Sequence, residues 1–122
     1  MKTKKILIID DDNRNIFALT AVLKAKKYIC LSASSARSGF NLIENDTNIA
    51  IVLMDMMMPD MDGYEAIAKM KDIPKLKDIP VIAVTAQAMV GDKERCLAAG
   101  AVGYVSKPIN IDELVNQINK HL

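Results

Sequence analysis

Residues Ile51–Gly63 read IVLMDMMMPDMDG. An unbroken apolar run, reaching back to Ile49, ends in Asp55, and three methionines, a proline and an acidic turn follow. An apolar run without alternation suits a strand covered on both faces. A carboxylate at the tip of such a strand is costly to desolvate unless something neutralises or hydrates it. The chemistry of Asp55 is therefore the question on which the chain turns.

Short apolar runs recur at Ile6–Ile9, Ile29–Leu31, Ile49–Met54, Val81–Val84 and Val102–Val105. Helical spacing fills the intervals: Ile16, Leu19, Thr20 and Leu23 make one stripe, and Ile111, Leu114, Val115, Ile118 and Leu122 another. Asn110 with Glu113 three residues later reads as a capping box, and Gly100 after Leu97-Ala98-Ala99 reads as a helix stop. Pro74 and Pro80 bracket the loop before the fourth strand. Strands alternating with helices imply an α/β fold: five parallel strands with five helices on both faces. The first, third and fourth strands are apolar throughout and are expected at the centre, whereas Ile29–Leu31 runs into SASS and belongs at an edge.

The chain has 122 residues, 51% hydrophobic and 25% charged, with a formal charge of +1. One domain spanning 1–122 is expected, with no output domain after the last helix. The balanced charge gives no reason to expect nucleic acid or acidic lipid as a partner. The MKTKKILIIDDD start superficially resembles a signal peptide, but Ile6–Ile9 is too short for its apolar segment, and no run approaches membrane-spanning length. A cytoplasmic location is expected. Cys30 and Cys96 form neither a disulfide framework nor a metal knuckle and should pack as small hydrophobes. The single histidine, His121, is penultimate, which excludes Ser/His/Asp and Cys/His catalysis and phosphohistidine chemistry within this chain.

In open parallel sheets, ligands sit beyond the carboxyl ends of the strands. There the sequence places Asp10, Asp11 and Asp12 after the first strand, Asp55 at the third, Thr85 at the fourth, and Lys107-Pro108 after the fifth. If the first and third strands are neighbours, their carboxylates crowd together, and two like charges ~4 Å apart repel by ~4 kcal/mol at an effective dielectric near 20. A bound cation or a protonated carboxyl relieves this. Mg²⁺ prefers oxygen ligands and commonly takes one or two carboxylates plus a phosphate. A carboxylate beside it can attack phosphorus, and the transition state then calls for a cation and a hydroxyl donor, the types that Lys107 and Thr85 supply. Asp12 or Asn13 suffices to cap the following helix, so three acids exceed what capping needs. Asp60-Met61-Asp62-Gly63 hints at a calcium loop, but that alignment puts Met58 and Lys69 where carboxylates belong, and a helix cap at Asp62 is the better reading. The methionines Met54, Met56, Met57 and Met58 read as packing and loop lining.

From ILIIDDD through LMDMMMPDMDG and VIAVTAQA to AGAVGYVSKPI, the whole chain resembles the receiver domain of two-component response regulators. It is similar both to single-domain chemotaxis-type regulators and to receivers of hybrid histidine kinases. Each motif alone is weak, but the four in order are specific. The resemblance implies a flavodoxin-like sheet of order 2-1-3-4-5. It makes Asp55 the phosphoacceptor, and Asp11, Asp55, the Met57 backbone carbonyl and Asp10 the Mg²⁺ site. It implies that Thr85 and Lys107 hold the phosphoryl group, that Lys107-Pro108 is a cis peptide, and that Tyr104 follows Thr85 as a switch. Met57 and Gln87 would tune the phosphoryl lifetime. The implied partners are a histidine kinase or histidine phosphotransfer protein upstream, and a downstream protein on the fourth-helix, fifth-strand and fifth-helix face, roughly 88–122. Such a domain catalyses only its own phosphorylation and dephosphorylation.

Two other readings fit less well. A haloacid dehalogenase-type phosphohydrolase shares the aspartyl phosphate, and Asp10-x-Asp12 mimics its opening motif, but Asn13 and Arg14 break the pattern beyond it. A degenerate receiver serving only as a binding module would not need the intact Asp11, Asp55, Thr85 and Lys107. A flavodoxin-like FMN site lacks its phosphate loop, and no Gly-rich nucleotide loop is present.

Overall fold

The computed structural model describes residues 4–86 and 90–122. Its elements alternate as β1 (Lys5–Ile9), α1 (Asn13–Ala25), β2 (Ile29–Ala33), α2 (Ala36–Asn45), β3 (Ile49–Asp55), α3 (Gly63–Lys71), β4 (Val81–Thr85), α4 (Asp92–Ala99), β5 (Gly103–Ser106) and α5 (Ile111–His121). All strand pairs are parallel, in the order β2-β1-β3-β4-β5. The expected centre and the expected β2 edge are both found. Reversal of strand order falls between β1 and β3, so the ends of these two strands flank one crevice.

Strand alternation sends consecutive side chains into two apolar layers. Leu7, Ile9, Val52, Met54 and Ala83 meet Ile43, Ile67, Met70 and Cys96 from α2, α3 and α4. Ile6, Ile8, Ile51, Leu53, Ile82 and Val84 meet Leu19, Leu23, Leu114 and Ile118 from α1 and α5. Cys96 is buried in the first layer and half-buried Cys30 packs on the second, as small apolar groups do. Both helical stripes read from the sequence therefore face the sheet.

Helix ends follow the sequence in most cases. Asp12 caps α1 by accepting the Arg14 N–H, and Gly100 ends α4 at φ 120°. Asp62 and Glu65 cap α3 reciprocally, so the acidic turn is a helix start. The box expected at Asn110 forms on one side: Asn110 accepts the Glu113 N–H at 3.0 Å, while the Glu113 carboxylate lies toward Gln117. Each strand differs from its apolar run by one or two residues at an end. β2 runs on to Ala33 because Ile9 pairs with it, and β5 starts at Gly103, leaving Val102 partly exposed.

Gly63 fixes where α3 begins. A Cβ there would overlap the Met56 sulfur and approach the Met56 Cα to 2.7 Å, while the Gly63 N–H donates to the Met56 carbonyl. This contact holds the loop after Asp55 against the first turn of α3. Gly63→Ala forces backbone apart, and we expect a loss of about 1–3 kcal/mol in urea unfolding. An unchanged unfolding midpoint would show that the contact constrains nothing.

Candidate functional site

Three strands end in the crevice with polar side chains. Asp10 follows β1 and is buried, its Oδ1 accepting the Asp12 N–H at 2.9 Å. Asp11 beside it is exposed. Asp55 closes β3, buried to 5% exposure, and its Oδ1 accepts the Met57 N–H at 3.0 Å. One carboxylate oxygen from each of Asp10, Asp11 and Asp55 lies within 4.8 Å of the other two. The crowding expected from the sequence is present, and the three acids form a candidate cation site.

Opposite stands one ammonium. Lys107 Nζ lies 3.5 Å from Asp10 Oδ2 and 3.9 Å from Asp55 Oδ2. The Lys107 N–H donates to the Thr85 carbonyl at 2.8 Å, and the Lys107–Pro108 peptide is cis, as expected. Thr85, buried at the end of β4, thus adjoins Lys107 through the main chain. Beside Asp10 and Lys107 opens a groove of about 280 Å³, whose walls include Leu19 and Val22 of α1 and Ile109.

Burial is the main cause that pushes the Asp55 carboxyl up to about 6, opposed by the Met57 N–H, raised further by Asp10 and lowered by Lys107. Among the described residues, the Lys107 ammonium faces three carboxylates and does not balance them. The donors are hard oxygens, so a hard divalent cation fits and a soft metal does not.

Of the other expected residues, Tyr104 lies half-buried on β5 opposite Ala83, with its ring against the layer shared by α2, α3 and α4. Met54, Met56 and Met58 are buried as expected, while Met57 is 50% exposed. Gln87 and Ala88 fall outside the described residues. Two features were not read from the sequence. The Arg95 guanidinium stacks 4.2 Å from the centre of the Tyr64 ring, joining α4 to the start of α3, and Tyr64 is hydrogen-bonded to Cys96. Gln117 reaches the β5 backbone. Helical spacing places Arg95 and Gln117 on faces available for such contacts, but no local pattern marks their partners.

The response regulator receiver domain family matches residues 6–119, and the chain belongs to that family of two-component signalling domains. The polar-differentiation response regulator DivK of Brucella ovis is 33% identical over 120 residues, covering 98% of this chain and 97% of that protein. A response regulator of Chloroflexus aurantiacus superposes with a TM-score of 0.89 at 28% identity, covering 98% of this chain and 97% of that one. The receiver domain of a sensor histidine kinase from Pseudomonas aeruginosa superposes with a TM-score of 0.86 at 29% identity, covering 97% and 96%. That structure carries a magnesium ion coordinated in its active site cleft.

The raised Asp55 value fixes a pH dependence. Well below the ordinary value of 3.8 the carboxyl is protonated in folded and unfolded chains alike, and it costs nothing. As pH rises through about 6 the folded protein must ionise a buried acid among acids, and that stability is lost. In metal-free buffer at pH 7, Asp55→Asn should therefore raise stability by about 1–2 kcal/mol, after discounting for solvent screening in an open crevice. At about pH 3, below both pKa values, the gain should vanish. Equal gains at both values in denaturant titrations would remove the charge explanation.

Proposed function

We propose that this domain takes a phosphoryl group onto Asp55 from a phosphohistidine of a histidine kinase or histidine phosphotransfer protein. The observation that carries the reading is the meeting of Asp10, Asp11 and Asp55 within 4.8 Å, faced by the Lys107 ammonium. An Asp55 carboxylate oxygen attacks phosphorus in line with the P–N bond. That bond breaks, and its electron pair stays on the imidazole nitrogen of the donor, which leaves as histidine. An acyl phosphate results, and attack of water on phosphorus later returns the carboxylate and releases inorganic phosphate.

Asp11, Asp55, Asp10 and the Met57 backbone carbonyl would hold Mg²⁺, with Asp11 the more direct of the acidic pair. When bound, Mg²⁺ neutralises carboxylate and phosphoryl charge. On the other flank, Lys107 pairs with a phosphoryl oxygen and Thr85 donates its hydroxyl to another. Thr85 is drawn toward the phosphoryl group, and Tyr104 turns into the space it leaves. This alters the α4–β5–α5 face, where a downstream protein docks. The shift can be no larger than the difference in contacts between the two states. Converting 1:99 to 99:1 needs ~5.5 kcal/mol, more than two such contacts comfortably supply, so a fraction of the molecules already holds the active form before phosphorylation.

With a small acyl phosphate and Mg²⁺, intact-mass measurement should find one phosphoryl group added, and Asp55→Asn should reduce uptake at least tenfold. Label persisting in that variant would move the acceptor elsewhere. Chelation should stop transfer, and Asp11→Asn should remove the thermal stabilisation that Mg²⁺ confers on the wild-type protein. Lys107→Ala should keep the fold but disconnect phosphorylation from change at Tyr104, read by ring resonances in NMR.

A further inference from the structure

β5 is an edge strand, and such an edge leaves backbone groups without a neighbouring strand. At Tyr104 a side chain takes the neighbour's place. Gln117 Oε1 accepts the Tyr104 N–H at 3.1 Å, and Gln117 Nε2 donates to the Tyr104 carbonyl at 3.0 Å. One carboxamide thus supplies both the acceptor and the donor that an adjoining strand would offer. Glu113, one turn earlier on α5, accepts a further bond from Gln117 Nε2 at 3.4 Å, which orients the amide. The approach depends on Gly103, where any Cβ would overlap Gln117 Oε1.

This clamp crosses between the two apolar layers. α5 buries Leu114 and Ile118 in the layer shared with α1, whereas the Tyr104 ring packs on the layer shared by α2, α3 and α4. Gln117 reaches around the sheet edge and fixes the peptide from which that ring projects. A ring turning on a fixed peptide converts its motion into a change of surface, whereas a loose edge strand absorbs the motion as backbone displacement.

We propose that Gln117, seated by Gly103 and Glu113, is a positioning residue that immobilises the Tyr104 peptide and so makes the ring's reorientation possible. The second half rests on the reading of Asp55 and Tyr104 given above; the first does not. Gln117→Met keeps the length and apolar stem but removes both bonds, and Gly103→Ala displaces the amide while leaving it in the chain. In the unphosphorylated protein, both variants should exchange the Tyr104 amide hydrogen about tenfold faster than wild type. Unchanged exchange in both overturns the clamp.

With a small acyl phosphate and Mg²⁺, both variants should take up the phosphoryl group within about twofold of wild type while the Tyr104 ring resonances lose their response. A ring response equal to wild type, with or without faster exchange, overturns the positioning role. Should wild-type protein take up no phosphoryl group, the Asp55 reading fails, and the exchange measurement still decides the clamp.

Discussion

Like charges converging without enough opposite charge are the constraint around which this molecule is arranged. Asp10, Asp11 and Asp55 come from two neighbouring strand ends, and Lys107 is the ammonium that faces them. Burial and the Asp10 charge raise the Asp55 carboxyl, whereas the Met57 N–H and Lys107 hold it down. Such a site resists ionisation when empty and favours it once a divalent cation is present. The fold supports this at its strand ends: Lys107 hangs from the Thr85 carbonyl, Met57 donates to Asp55, and Gly63 lets α3 abut the Asp55 loop.

Parallel topology makes the arrangement possible. Because every strand runs the same way, the polar residues that end the apolar runs all emerge on one rim, and the order β2-β1-β3-β4-β5 sets Asp10 beside Asp55. An antiparallel neighbour would have sent one of the two acids to the opposite rim. The three central strands β1, β3 and β4 are almost entirely apolar, so their charge is confined to the ends.

Much of this was legible in the chain, for local reasons. An apolar run ending in Asp55 announces a central strand and its terminus, a short Ile29–Leu31 run that leads into SASS announces an edge, and Asp12, Asp62 and Gly100 announce helix limits through their own backbone chemistry. What stayed hidden depends on side chains reaching across the fold. Gln117 looks like any polar residue of an amphipathic helix until β5 lies next to it, and Arg95 over Tyr64 requires α3 and α4 to be adjacent. The Asn110–Glu113 pattern predicted a reciprocal cap, but Gln117 lies closer to the purpose of Glu113. The Met57 side chain, solvent-facing amid buried methionines, is set by loop geometry that composition does not encode.

The division of the interior by the sheet has a consequence for how the molecule evolves. Leu114 and Ile118 share no apolar cluster with Ile67, Met70 or Cys96. Volume lost on one side cannot be refilled from the other, because hydrogen-bonded strands stand between. Compensating substitutions should therefore arise within a layer, and each side can drift in size and shape under its own constraints while the charged rim, fed by both, stays put.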